Sequence, residues 1–364
     1  MTAEAASIRV SPPELEAFVA AAMQRVGIRD EDARLAAQIL VTTDTWGVHT
    51  HGTRQLRPLL RNFPIERLHV DAMPEVVREG GAWALIDGHH GLPFVAAVRA
   101  MDMAIAKAKL AGVGYVSVVN TSHFGAAGYY ATRAALAGMI GMAMCNTDPQ
   151  MAIPGARGKV LGTNPIAYAI PYQDKPIFFD IATSAVAANK VIRAKLLGQK
   201  IPEGWLVDAD GNPTTDPSDF PESGALLPMA LHKGYGFALL VETLAGVMTG
   251  AAMARQQPSW VVGVPSNPPG FANQGQVFMA IDAGMMLSPS QFEERIDWLA
   301  DDIHDAPKAA GSERTYLPGE MEWERRERAL RDGLELPPDV VTSLIGLAED
   351  VGLSFPFAAN SEGG

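Results

Sequence analysis

The chain has 364 residues, 48% hydrophobic and 19% charged, an ordinary globular balance that excludes a disordered polymer or a membrane bundle, and at about 150 residues per domain it has room for two domains. Its 29 Lys and Arg against 41 Asp and Glu leave a formal charge of -12, which repels nucleic acid and anionic lipid, so an anionic ligand must meet a local cationic spot. One cysteine, Cys145, closes no internal disulfide and fits core packing in a reducing compartment; no apolar run nears the ~20 residues of a span, the start has no leader pattern, and a cytoplasmic location is expected.

In chain order, Ser11-Pro12-Pro13-Glu14 has the spacing of a helix start, a capping Ser three residues before a Glu with Pro at the first turn. Leu15, Phe18, Val19, Ala22, Met23 and Val26 follow at helical spacing and Gly27 marks the stop. Asp30 opens a second helix that runs toward Thr43. From residue 82 the period changes: strands are predicted at 82–86, 115–120, 140–145, 166–170, 177–180 and 277–281, and helices at 92–110, 125–137 and 235–248. Phe292, Ile296, Leu299 and Ile303 mark an amphipathic helix, the charged stretch 320–331 another, and Pro337-Pro338 opens a last one carrying Val340, Val341, Leu344 and Leu347. An α/β chain of mixed α+β character is implied, with both helical ends packed around a central sheet. The expected division is a helical part, 1–78 plus 305–364, and a sheet part, 79–304.

Three segments concentrate reactive side chains. Gly47-Val48-His49-Thr50-His51-Gly52-Thr53-Arg54 puts two imidazoles and a guanidinium between glycines; such a His can pass a proton to a carbonyl, and such an Arg can hold a carboxylate through two parallel bonds. The plain alternative is a turn whose Arg pairs with a structural acid. Asn120 to Gly128 takes a β-branched strand through Ser122 and His123 into a Gly/Ala-rich helix start, where α/β folds place reacting groups; a His that merely caps the helix is the alternative. His232-Lys233-Gly234-Tyr235-Gly236 offers a cation and amide groups at a helix start, a weak phosphate signal on its own.

The remaining motifs are negative. No Gly-x-Gly-x-x-Gly follows a strand, so a dinucleotide would need a non-Rossmann fold. His49-x-His51 with a distant His123 resembles part of a zinc site without an acidic partner, so no metal is assigned and a metal-dependent hydrolase is a lesser alternative. Asp208-Ala209-Asp210-Gly211 has its glycine too early for a calcium loop and reads as a turn.

Six motifs in order resemble the type-2 malate/L-lactate dehydrogenases, whose relatives include ureidoglycolate dehydrogenase, diketogulonate reductase, sulfolactate dehydrogenase and the cyclic imino acid reductases. They are 47–52, 122–128, Gly162-Thr163-Asn164-Pro165, 180–184, 208–217 and 232–236. The resemblance implies a non-Rossmann NAD(P)-binding fold with a largely antiparallel sheet, and a homodimer whose subunits share the active-site region. It also implies hydride transfer between NAD or NADP and a small 2-hydroxy or 2-oxo acid, a cyclic imino acid being the alternative substrate. His51 and His123 become the acid/base candidates, with His123 favoured. Thr50 and Arg54 would bind the carboxylate, Thr50 standing where Ser is usual. Cofactor contacts would come from Thr147, from Asp180, Ile181 and Ala182, from Lys233 and Gly234, and from Pro318, Gly319 and Glu320.

Overall fold

The computed structural model describes residues 6–261 and 270–357. A short strand β1 (Ile8–Val10) precedes helices α1 (Pro12–Arg25), α2 (Asp30–Thr45) and α3 (Leu56–Leu60). Helix α1 starts where its prolines allow, but Ser11 makes no side-chain cap bond; the fixed φ of the Pro pair suffices to open the turn. Then come β2 (Glu75–Glu79), β3 (Trp83–Asp87), α4 (Pro93–Ala111), β4 (Val113–Thr121), α5 (Ala127–Leu136), β5 (Met139–Cys145), β6 (Ile166–Ile170) and β7 (Ile177–Ile181). Helix α6 (Ala188–Leu196) leads into the short strands β8 (Leu206–Val207), β9 (Pro213–Thr214) and β10 (Ala225–Leu226). Helix α7 (His232–Val241) follows. The last elements are β11 (Gln274–Asp282), α8 (Pro289–His304), α9 (Glu320–Asp332), β12 (Leu334–Leu336) and α10 (Pro338–Val351).

Among the described residues the main sheet has seven strands in the order β2-β3-β4-β11-β5-β6-β7. Only β3 and β4 run parallel, joined by the crossover helix α4; the other neighbours are antiparallel. The expected largely antiparallel sheet is therefore present. Strand β11, distant in sequence, fills the centre between β4 and β5.

Period-2 alternation sorts the two faces. Val116, Val118, Phe278 and Ala280 face α4 and α5 and belong to the main apolar cluster, while Tyr115, Val277 and Met279 face α7 and the turns after it. Glycines set the closeness of approach: a Cβ on Gly114 would lie 2.0 Å from the carbonyl oxygen of Ala104, one on Gly141 2.4 Å from that of Ala131, and one on Gly275 1.5 Å from that of Ala245. Strand glycines here are contact points where helix backbone rests on sheet backbone.

The chain ends meet. Strand β1 pairs with β12, α2 contacts α9, and α1 contacts α10. The main apolar cluster continues from these helices into the sheet. The helix expected over 235–248 begins at His232 and changes at Glu242 to a π-helical turn through Val247. Asp208 accepts the N–H groups of Asp210 and Asn212, and Gly211 takes φ +89, so this segment is a turn between β8 and β9.

Candidate active site

The loop after α2 is built on Asp44. This fully buried carboxylate accepts the Thr53 N–H (2.9 Å) and hydroxyl (2.6 Å) and faces His49 Nδ1 at 3.0 Å. A Cβ on Gly52 would lie 2.0 Å from its Oδ1, so only glycine lets the loop close over it. His49 is thereby used structurally. His51 turns the other way, its Nδ1 2.9 Å from Thr50 Oγ1.

At the end of β4, His123 meets His51 with near-parallel rings, 5.6 Å between centroids and 19° between planes. Trp260 covers the other face of His123 at 4.5 Å and 25°. His123 Nδ1 accepts the Gly125 N–H at 3.3 Å. Burial pushes both imidazoles down, His51 to about 4 with help from Arg54, and His123 to about 3 with help from His51. Both rings are neutral near pH 7 in this state. Arg54 Nε lies 3.2 Å from Asp339 at the start of α10, which leaves the terminal guanidinium edge for a carboxylate.

These groups line a cavity of about 1530 Å³, above the roughly 300–1,000 Å³ of a single small-ligand site. The structure brings Thr50, His51, Arg54, His123, Thr147, Asp180, Ala182, Pro318 and Gly319 to its wall. Thr147 is fixed by reciprocal bonds: its N–H donates to Asn164 Oδ1 at 3.1 Å and its hydroxyl accepts from Thr163 N at 3.0 Å. Behind it, Asn146 and Asn164 both donate to the buried Glu242 of the π-helical turn, a placement typical of functional helix defects. Asp180 accepts the Gly128 N–H at 2.7 Å at the start of α5, and burial raises it to about 6. Phe178 N–H bonds Pro318, and Gly319, at φ +92, has no room for a Cβ beside the Phe178 ring.

Four expected cofactor residues stand apart from that wall. Ile181 lies on β7 outside the lining, and exposed Lys233 with buried Gly234 belongs to the first turn of α7. That turn is tied to the rim indirectly: Gly234 N–H bonds Met229, whose N–H bonds Thr183. Glu320 is occupied structurally, meeting His304 at 2.7 Å and accepting the Leu317 N–H. The cavity also contains residues that the motifs do not mark: Trp46, Asp148, Lys159, Ser259, Trp260 and Asp339. Asp148 is raised to about 6, chiefly by burial, with Ser259 and Lys159 opposing.

The wall suits a dinucleotide beside a small acid. Asp180 and Thr147 offer acceptors and a hydroxyl for ribose or amide groups, and the Trp46 indole N–H is buried without a partner among the described residues.

Comparison with known proteins gives the family. Residues 10–345 match the family model described as malate/L-lactate dehydrogenase. A malate dehydrogenase from Pyrococcus horikoshii is 36% identical over 95% of this chain and 96% of its own length. An L-sulfolactate dehydrogenase from Methanothermobacter thermautotrophicus is 33% identical over 95% and 98%. The solved sulfolactate dehydrogenase of Methanocaldococcus jannaschii superposes with a TM-score of 0.87 at 33% identity, covering 95% of this chain and 98% of that one. Relatives also include an Escherichia coli ureidoglycolate dehydrogenase (NAD(+)) and a Pseudomonas putida Δ1-pyrroline-2-carboxylate/Δ1-piperideine-2-carboxylate reductase. With that coverage in sequence and in fold, the chain belongs to the malate/L-lactate dehydrogenase family.

Proposed function

We propose that this chain is an oxidoreductase that uses NAD or NADP to interconvert a small 2-hydroxy acid and its 2-oxo acid. The observation that carries the reading is the meeting of His51 and Arg54, from one segment, with His123, from another, on one cavity wall. Arg54, with Thr50 beside it, holds the substrate carboxylate and so fixes the adjacent carbon against the imidazoles. Thr147, Asp180, Ala182, Pro318 and Gly319 hold the dinucleotide, with Ile181 as a backbone neighbour. Lys233, Gly234 and Glu320 are assigned to its rim. The bound dinucleotide supplies or accepts hydride.

An imidazole, held neutral by burial, accepts the hydroxyl proton during oxidation and, once charged, returns it during reduction. A carboxylate against Arg54 offsets the guanidinium charge that depresses His51, which favours the charged ring when substrate is present.

The working unit in this reading is a cytoplasmic homodimer. Support comes from Phe237, Leu240, Val247 and Met248, which leave an apolar stripe exposed along α7 and the π-helical turn. Among the described residues no helix is long and apolar enough to cross a membrane.

The test is a matrix of NADH and NADPH against 2-oxo acids and cyclic imines, followed by loss of reduced-nicotinamide absorbance. Turnover of an oxo acid is expected. Turnover of imines alone would move the substrate to the C=N class, and no turnover in either direction would overturn the reading.

A further inference from the structure

Glu242 is the first residue of the π-helical turn and is buried, and three hydrogen-bond donors converge on it. Oε1 accepts Asn146 Nδ2 at 3.1 Å and the Ala254 N–H at 2.8 Å, and Oε2 accepts Asn164 Nδ2 at 2.6 Å. Both asparagines are wholly buried. An amide has an acceptor at one end and a donor at the other, so what lies against one end decides which way it points. A carboxylate accepts only, and it turns the NH2 of each asparagine inward and the oxygen outward. The outward oxygens meet backbone: Asn146 Oδ1 accepts the Gly275 N–H of β11 at 2.8 Å, and Asn164 Oδ1 accepts the Thr147 N–H at 3.1 Å.

Asn146 follows β5 and Asn164 precedes β6, so the segment between them leaves and re-enters the sheet through two side chains fixed on one carboxylate. Thr147 lines the cavity, while Glu242 lies behind its wall. Thr147 Oγ1 already accepts the Thr163 N–H at 3.0 Å, and among the described residues its hydroxyl hydrogen has only the Asp148 carbonyl, at 3.5 Å. That hydrogen is free for a ligand. Gly246 keeps the network open: a Cβ there would come 2.9 Å from Asn146 Nδ2.

Resting on the dinucleotide reading above, we propose that Glu242 is a positioning residue for the cofactor. Its carboxylate orients Asn164, Asn164 fixes the Thr147 backbone, and Thr147 presents its hydroxyl to the dinucleotide as a donor. Glu242→Gln keeps the shape but sets an NH2 against Asn164 Nδ2, so the Asn164 amide can serve residue 242 or Thr147, not both. Adding Asn164→Asp reverses the polarity of that contact and leaves a second carboxylate oxygen for the Thr147 N–H.

Dinucleotide affinity, measured as energy transfer from the cavity tryptophans Trp46 and Trp260 to bound NADH or NADPH, tests this. Glu242→Gln is expected to raise Kd ~10-fold or more, and Asn164→Asp alone, which sets two carboxylates together, at least as much. The double variant should return to within ~3-fold of the parent. In ligand-free protein the Thr147 amide should exchange its hydrogen ~10-fold faster or more in Glu242→Gln and recover in the double variant. At saturating dinucleotide the KM for the oxo acid should stay within ~3-fold, because Arg54 is untouched; a general loosening would move both constants. Parent-like dinucleotide binding or Thr147 exchange in Glu242→Gln, or a double variant no better than the worse single one, would overturn the proposal. Thr147→Val removes the hydroxyl and leaves the carboxylate network in place, so its parent-like binding would overturn the proposal even if Glu242→Gln failed to fold. A parent that binds dinucleotide yet turns over no oxo acid would defeat the activity reading alone, whereas one that binds neither NADH nor NADPH would overturn both.

Discussion

At the scale of single residues, the proposed function makes Arg54 the group that sets substrate affinity. Its Nε lies 3.2 Å from Asp339, and both residues line the cavity. A lysine would keep the charge and lose the fork. Arg54→Lys is therefore expected to raise KM ~10-fold or more with a smaller change in kcat, measured by initial rates; an unchanged KM would remove Arg54 from carboxylate binding. Burial of the imidazoles also has a stability consequence. Their folded values lie below the ordinary 6.5, so the unfolded chain binds protons first, and their contribution is present above pH 6.5 and lost as pH falls toward 4. Urea midpoints at about pH 7 and about pH 4.5 should show a smaller acid loss in His51→Asn than in the parent; equal losses would contradict the neutral buried ring. The glycine-bounded His and Arg clusters were legible as sequence. Trp260, Asp339 and Glu242 were not, because each acquires its role only from a partner that the fold brings in from far along the chain.

At the scale of elements, the long periodic segments announced themselves, including α1, α4, β4 and β11. Strands of two or three residues did not: β1, β12 and β8 to β10 are too short to show alternation, and β1 meets β12 only across the length of the chain. Helix α6 carries only Val191 as a fully buried side chain, so its apolar period is faint. Strand glycines prove to be seats for helices. Gly141→Val would drive a side chain into Ala131 and Ala134 of α5, at a cost of about 1–3 kcal/mol or more for overpacking. Gly81→Ala, with no heavy atom within 4 Å of the added Cβ, is the matched control. Thermal melts should separate the two, and equal melting temperatures would refute the close approach.

At the scale of the whole molecule, four of the six family motifs, 47–52, 122–128, 162–165 and 180–184, converge from dispersed positions on one cavity wall. The sequence carried the order of those motifs and the antiparallel character implied by the resemblance. It did not reveal that Lys233 would sit outside its own cavity wall, beside an uncovered apolar helix face. Association through that face predicts a dimer in sedimentation equilibrium, and Phe237→Glu with Leu240→Glu should yield monomers. A parent that remains monomeric at assay concentrations would exclude the shared site.

The central claim is direct hydride transfer inside the His51–Arg54–His123 cavity, and isotope transfer tests it most closely. Protein incubated with reduced nicotinamide cofactor deuterated at the transferring carbon and a 2-oxo acid should return the hydroxy acid with deuterium on C2, at one deuterium per cofactor oxidised. Product carrying only solvent hydrogen at that carbon, or cofactor oxidised without hydroxy acid, would contradict the account.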